Sequence, residues 1–154
     1  MSKLISQDLP NFHQISENFY RGGQPTEEGI KQLACLGIKT IISFRDTQEK
    51  VLREKKFAEE NSLNFLNLRL SNWFASKDSE INSILEIIQN PENQPVFIHC
   101  KRGADRTGTV VAAYRMKFEN WTAEEANREA KKFGLGWSLV WMKDYIFAYY
   151  KRLK

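Results

Sequence analysis

The sequence predicts a three-layer α/β domain, a mainly parallel central sheet flanked by helices, with residues 1–154 read as one domain. Three observations lead there. Short β-branched runs alternate with amphipathic helical stretches along most of the chain, the pattern of successive βα units. One run, Val96–Cys100 (VFIHC), is apolar without alternation, as a strand covered on both faces is. That run leads directly into a glycine-containing loop and then a strongly apolar helix. The loop therefore falls at the carboxyl end of a buried strand, where open α/β sheets place their ligands. A chain of 154 residues is long enough to bury one sizeable core.

The elements follow in chain order. Asn18–Thr26 begins extended and ends in a turn built on Gly22, Gly23 and Pro25. Glu27–Gly37 reads as a helix with Ile30, Leu33 and Ala34 on its apolar face, stopped near Gly37. Lys39–Phe44 is a strand by its β-branched and aromatic content, and Thr47–Asn61 is a polar helix. Asn64–Leu70 alternates apolar with polar residues, as a half-buried strand does. Asp78–Gln89 is an amphipathic helix whose apolar face is Ile81, Ile84, Leu85 and Ile88. A turn at Asn90–Pro95 precedes the VFIHC strand. Thr107–Phe118 is an apolar helix. Thr122 and Glu125 form a capping box for a helix ending at Gly134, and Trp137–Lys154 is a last, aromatic-rich helix. Packing against the core explains its aromatic residues, Trp137, Trp141, Tyr145, Phe147, Tyr149 and Tyr150, better than a membrane or partner surface does.

Composition excludes several functions. Hydrophobic residues make up 42% of the chain and charged residues 27%, as in ordinary globular proteins. The net charge of +4 suits anionic substrates, but the charges are mixed and no basic stripe carries interleaved aromatics, so no nucleic-acid partner is expected. Two cysteines, Cys35 and Cys100, make no disulfide framework and point to a reducing, cytoplasmic setting. The N-terminal MSKLISQDLP has no signal-peptide character, and no apolar run reaches the ~20 residues of a membrane span, so stable membrane insertion is not expected. His13 and His99 are the only histidines, and CxxC, HExxH and carboxylate-rich loops are absent; neither a metal nor a cofactor is expected.

The chemistry concentrates in His99–Gly108, HCKRGADRTG. A loop curled over a helix N-terminus aims unpaired amides at one centre and makes a nest for an anion. Lys101, Arg102, Gly103, Ala104, Asp105 and Arg106 form that loop. Gly103 supplies the permissive backbone, Gly108 lets the helix start pack closely, and Arg106 offers a planar fork for two phosphate oxygens. Cys100 lies at the bottom of the nest. The field that attracts a dianion also stabilises a thiolate, which makes an activated nucleophile without a histidine base. Thr107 could hydrogen-bond that thiolate, and His99 could brace the loop through its ring nitrogens.

This stretch resembles the C-x5-R-[ST] signature of cysteine-dependent phosphatases, the protein tyrosine and dual-specificity enzymes. Asn18–Thr26, Gly37–Arg45 and Asn93–Cys100 are similar to small dual-specificity-like members. The resemblance implies the cysteine phosphatase fold, a phosphocysteine formed on Cys100, phosphate and transition state held by Arg106, and no metal. It leaves the general acid open. Most of the family places an Asp on a loop well upstream of the cysteine, and here that region offers Asp78, which also stands where a helix cap is expected. Asp105 resembles the Asp before the Arg in a subset that includes myotubularin-like lipid phosphatases and some broad-specificity bacterial enzymes. A phosphate beside it would favour its protonated form, as an acid requires; alternatively it braces the loop on Arg21 or Arg45.

Lys101 and Arg102 resemble loop cations of inositol phosphatases, or are simple surface charge. Arg21 and Arg45 either line the rim or pair with nearby carboxylates. Cys35, in LACLG, is expected in the core, with no evidence for a disulfide to Cys100. The substrate is thus a phosphorylated protein or an inositol phosphate or lipid. Another C-x5-R chemistry such as arsenate reduction would want partner cysteines for thiol relay. The non-enzymatic alternative is a pseudophosphatase that binds phosphate without turnover, although such modules usually lack the Cys or the Arg, both present here.

Overall fold

The structure, a computed structural model, describes residues 7–71, 76–134 and 140–154, without the side chains of residues 140 and 141. Its elements run β1 (His13–Ser16), β2 (Phe19–Gly22), α1 (Glu27–Cys35), β3 (Thr40–Ser43), α2 (Gln48–Glu60), β4 (Asn64–Asn67), α3 (Asp78–Gln89), a 3-10 turn (Pro91–Asn93), β5 (Val96–His99), α4 (Asp105–Phe118), α5 (Ala123–Lys132) and α6 (Val140–Leu153). The sheet order is β1-β2-β5-β3-β4. The β1–β2 pair is antiparallel; β2–β5, β5–β3 and β3–β4 are parallel.

Strand periodicity assigns the two faces. In β3, Ile41 packs with α1 and α2 beside Ile30, Leu33, Ala58 and Phe97, while Ile42 points to the opposite side. There it meets Val96 and Ile98 of β5 and the apolar faces of α3, α4, α5 and α6. Ile81, Ile84, Leu85 and Ile88 of α3 are all buried, as their spacing predicts. The Thr26 hydroxyl accepts from the Gly29 amide at 3.0 Å, and Thr122 and Glu125 close the expected capping box. Tyr145 and Tyr149 of the last helix are buried, and Phe147 and Tyr150 pack on the same core. Trp137 and the side chain of Trp141 lie outside the described residues.

Register matters most for the site. His99 lies abreast of Gly22 on one side and Ser43 on the other. The segments that follow β2, β5 and β3 therefore leave the sheet side by side at one edge.

Four details depart from the sequence reading. β1 was not expected, because HQIS carries a single apolar residue; it forms by pairing with β2. β4 is four residues long rather than seven, an edge strand whose adjacent Phe65 and Leu66 serve opposite core clusters. The helix after the loop begins at Asp105, two residues before Thr107. Cys35 is exposed rather than in the core. It follows Leu33 by two residues, about 200° around α1, and so faces away from the Ile30–Leu33 stripe.

Candidate active site

Cys100 leaves the end of β5 buried, and residues 101–104 curl from it into the N-terminus of α4. Donors from outside the curl hold its carbonyls. The Gln24 amide donates to the Lys101 carbonyl at 3.0 Å. Arg21 Nη2 donates to the Gly103 carbonyl at 2.5 Å and Asn11 Nδ2 to the same oxygen at 3.2 Å. His99 Nδ1 meets the Cys100 carbonyl at 3.1 Å. A trans peptide places each N–H opposite its C=O. Anchoring the carbonyls of residues 100, 101 and 103 therefore turns the amides of Lys101, Arg102 and Ala104 to the other side of the curl, where an anion nest needs them.

The curl closes glycine on glycine. Gly103 has φ +74°, and a Cβ there would lie 2.4 Å from the Gly22 carbonyl carbon and 2.6 Å from the Gly23 nitrogen. A Cβ on Gly23 would in turn meet the Arg102 carbonyl at 3.0 Å. Gly103→Ala thus combines a left-handed backbone with a clash against backbone that cannot move aside. It is expected to cost ~2–4 kcal/mol, read as a lowered urea midpoint, and to remove most phosphate affinity in the protein that remains folded.

Inside the curl, Thr107 Oγ1 lies 3.1 Å from Cys100 Sγ, with the hydroxyl as donor. Arg106 is buried; its Nη1 donates to the carbonyls of Phe44 at 3.2 Å and Leu70 at 3.5 Å, and its buried Nε has no hydrogen-bond partner among the described residues. The segments after β3 and β4 thereby fix the guanidinium against the loop. Asp105, 7% exposed, accepts from Arg102 Nη2 at 2.5 Å. The cation on Asp105 is thus Arg102, not the Arg21 or Arg45 considered from the sequence.

The two distant arginines are not rim residues. Arg21 is wholly buried behind the loop, with its guanidinium 4.9 Å from the Phe133 ring centroid; burial draws its pKa down to about 10, still charged at neutral pH. Arg45 is buried too, and its Nη1 donates to Gln24 Oε1 at 2.8 Å. Lys101 and Arg102 have exposed side chains.

Asp78 is the first residue of α3, not its cap, which is Lys77. Its carboxylate accepts from Arg152 Nε at 2.5 Å and Nη2 at 2.8 Å, and from the Tyr145 hydroxyl at 2.7 Å. The Arg152 hydrogen bond, chiefly, holds Asp78 below the ordinary carboxylate range. It pins α3 to α6.

Three residues of the site's support were not singled out from the sequence: Asn11, Gln24 and Glu54. Glu54 was hidden in a helix that reads as polar throughout. The available signal was its spacing, because Val51, Glu54 and Ala58 form one buried stripe on α2.

Comparison with known proteins agrees with this geometry. Residues 5–137 match the family described as DSP-PTPase phosphatase fused to NAD+ kinase. The probable tyrosine-protein phosphatase DG1060 of Dictyostelium discoideum is 32% identical over 127 residues, 80% of this chain and 75% of that protein. The dual specificity protein phosphatase TpbA of Pseudomonas aeruginosa is 29% identical over 127 residues, 82% of this chain but 56% of TpbA, so the chain spans little more than half of that relative. The crystal structure of the core catalytic domain of the PP-IP phosphatase SIW14 from S. cerevisiae, in complex with citrate, superposes with a TM-score of 0.79 at 26% identity, covering 92% of this chain and 86% of that one. The family match spans the loop that holds Cys100 and Arg106. The chain belongs to the family of cysteine-dependent dual-specificity and tyrosine phosphatases.

Proposed function

We propose that residues 1–154 act as one catalytic domain that hydrolyses phosphate monoesters through a phosphocysteine on Cys100. The 3.1 Å contact from Thr107 Oγ1 to a buried Cys100 Sγ, under the N-terminus of α4, carries this reading. A hydroxyl donor and a helix terminus both favour sulfur as the thiolate. In the reaction a phosphate dianion occupies the amides of Lys101, Arg102 and Ala104 and the Arg106 guanidinium. Sγ attacks phosphorus as the P–O bond to the leaving group breaks, and an acid protonates the departing oxygen. Water then attacks the phosphocysteine, gives a proton to the same group, and releases inorganic phosphate and the thiolate.

Asp105 is the better candidate for that acid. Asp78 is tied to Arg152 and Tyr145, which hold it ionised and pin it between α3 and α6, whereas Asp105, itself engaged by Arg102, stands at the start of α4 beside the nest. A dianion in the nest competes for Arg102, whose side chain is 64% exposed and can swing away. Asp105→Asn is expected to lower kcat ~10²–10⁴-fold with an alkyl phosphate, where the leaving oxygen needs a proton. With p-nitrophenyl phosphate, whose leaving group departs unprotonated, the loss should be much smaller. Equal losses with both esters would remove Asp105 from the acid role.

The substrate we favour is a phosphorylated protein side chain, phosphotyrosine in particular, in keeping with the names of the Dictyostelium and Pseudomonas relatives. One observation favours an inositol phosphate instead: Lys101 and Arg102 present exposed cations at the loop, where further phosphates of one ligand could reach them. A reducing, cytoplasmic compartment suits a mechanism that needs Cys100 as a free thiol. Among the described residues no helix is long and apolar enough to cross a membrane. The deciding experiment is release of p-nitrophenol from p-nitrophenyl phosphate between mildly acidic and neutral pH, with EDTA present. Turnover supports the proposal; none, in protein that melts cooperatively, overturns it in favour of a phosphate-binding module.

A further inference from the structure

A buried carboxylate plays no part in the mechanism above. Glu54, on α2, is 5% exposed, and its two oxygens are both engaged. Oε2 lies 2.7 Å from His99 Nε2, and Oε1 accepts from Gln24 Nε2 at 2.9 Å. Arg45 Nη1 donates to Gln24 Oε1, which sets that amide's orientation and turns its NH2 toward Glu54. On the far side of the ring, His99 Nδ1 faces the Cys100 carbonyl, which can only accept. Both ring nitrogens therefore face acceptors. A neutral imidazole has one N–H and could satisfy both contacts only if Glu54 carried the other proton. Gln24 donating to Glu54 favours the carboxylate form, and with it a doubly protonated ring.

We infer that Glu54 is a positioning residue for Cys100: its buried carboxylate holds His99 as an imidazolium, which grips the Cys100 carbonyl and places a positive charge at the foot of the thiolate. This rests on the reading of Cys100 as nucleophile. Arg21 aligns with Ile98 and so points to the face of the sheet opposite His99. Arg45, two residues after the Ser43 that pairs with His99, works against the ring's proton. Arg106 at the start of α4 does the same, while Asp105 there and a Cys100 thiolate work for it. Glu54 is the anion in contact with the ring.

The test reads the thiol directly, independently of turnover. In a Cys35→Ser background, the rate of iodoacetamide alkylation of Cys100 is followed against pH. Glu54→Gln keeps the shape and an acceptor for Nε2 but removes the charge. It is expected to raise the alkylation midpoint by about one pH unit, and the acidic limb of kcat/KM should move with it. In a His99→Gln background the same substitution should add nothing further. Coincident midpoints for wild type and Glu54→Gln, or an equal shift in the absence of His99, would overturn the assignment. If Glu54→Gln does not fold, the unsubstituted protein answers instead. With ring-15N histidine, and His13→Gln to identify the His99 signals, both His99 nitrogens should be protonated at pH 7, and a single neutral tautomer would overturn the inference. Absence of phosphatase activity with a shifted midpoint would instead count against the catalytic proposal and leave this one standing.

Discussion

Cys100→Ser is expected to release p-nitrophenol at least ~10⁴-fold more slowly than the unsubstituted protein, at every pH tested. The loss is chemical rather than steric. Oxygen replaces sulfur in a buried position that keeps its neighbours, including the Thr107 hydroxyl. An alcohol is not ionised by the fields that ionise a thiol, so the nest still gathers the phosphate and nothing attacks it. Binding and turnover should therefore separate: the serine variant is expected to bind inorganic phosphate or vanadate within a few-fold of wild type while turnover is lost. Appreciable turnover by Cys100→Ser would remove the phosphocysteine from the mechanism.

Arg106→Lys should be nearly as damaging, with kcat/KM falling ~10³-fold. The charge survives, but the fork does not. Arg106 donates from Nη1 to the carbonyls of Phe44 and Leu70, and its buried Nε has no hydrogen-bond partner among the described residues. An ammonium group can either satisfy those carbonyls or reach the phosphate. The effect should fall mainly on kcat, because the equatorial oxygens of the transition state need the planar pair of donors more than the ground state does. A loss confined to KM would mean that Arg106 only binds.

Much of this site was legible beforehand because it is local. Cys100, Thr107, Arg106 and the Gly103 turn lie within eight residues, and strand, loop and helix there follow from apolar pattern and glycine placement. The central strands were legible for a related reason: β3 and β5 are buried on both faces, and their β-branched and aromatic residues mark them in the sequence. What was not legible depends on distance along the chain. β1 forms by pairing with β2, and its own residues carry almost no strand signal. Arg21 read as either a rim residue or a salt-bridge partner because buried arginines are rare, and its burial depends on the Gly103 carbonyl 82 positions away. Asp78 read as a helix cap or an acid because Arg152 and Tyr145 arrive from the last helix. Cys35 sits among apolar neighbours in sequence but on the wrong side of its helix.

The anchoring of the loop also bears on how the chain acquires its activity. The donors that hold the Gly103 carbonyl come from residues 11 and 21, and Phe133 shares Asn11 with them. The grip on Arg106 comes from residues 44 and 70. The nest therefore cannot be assembled from its own ten residues, however strongly α4 forms. It needs β2 and β3 already zipped on either side of β5, contacts that close loops of more than fifty residues and form slowly. During refolding, helical signal should return first and phosphate binding last. A chain released early from its folding pathway would carry the whole His99–Gly108 segment and still be unable to hold a phosphate.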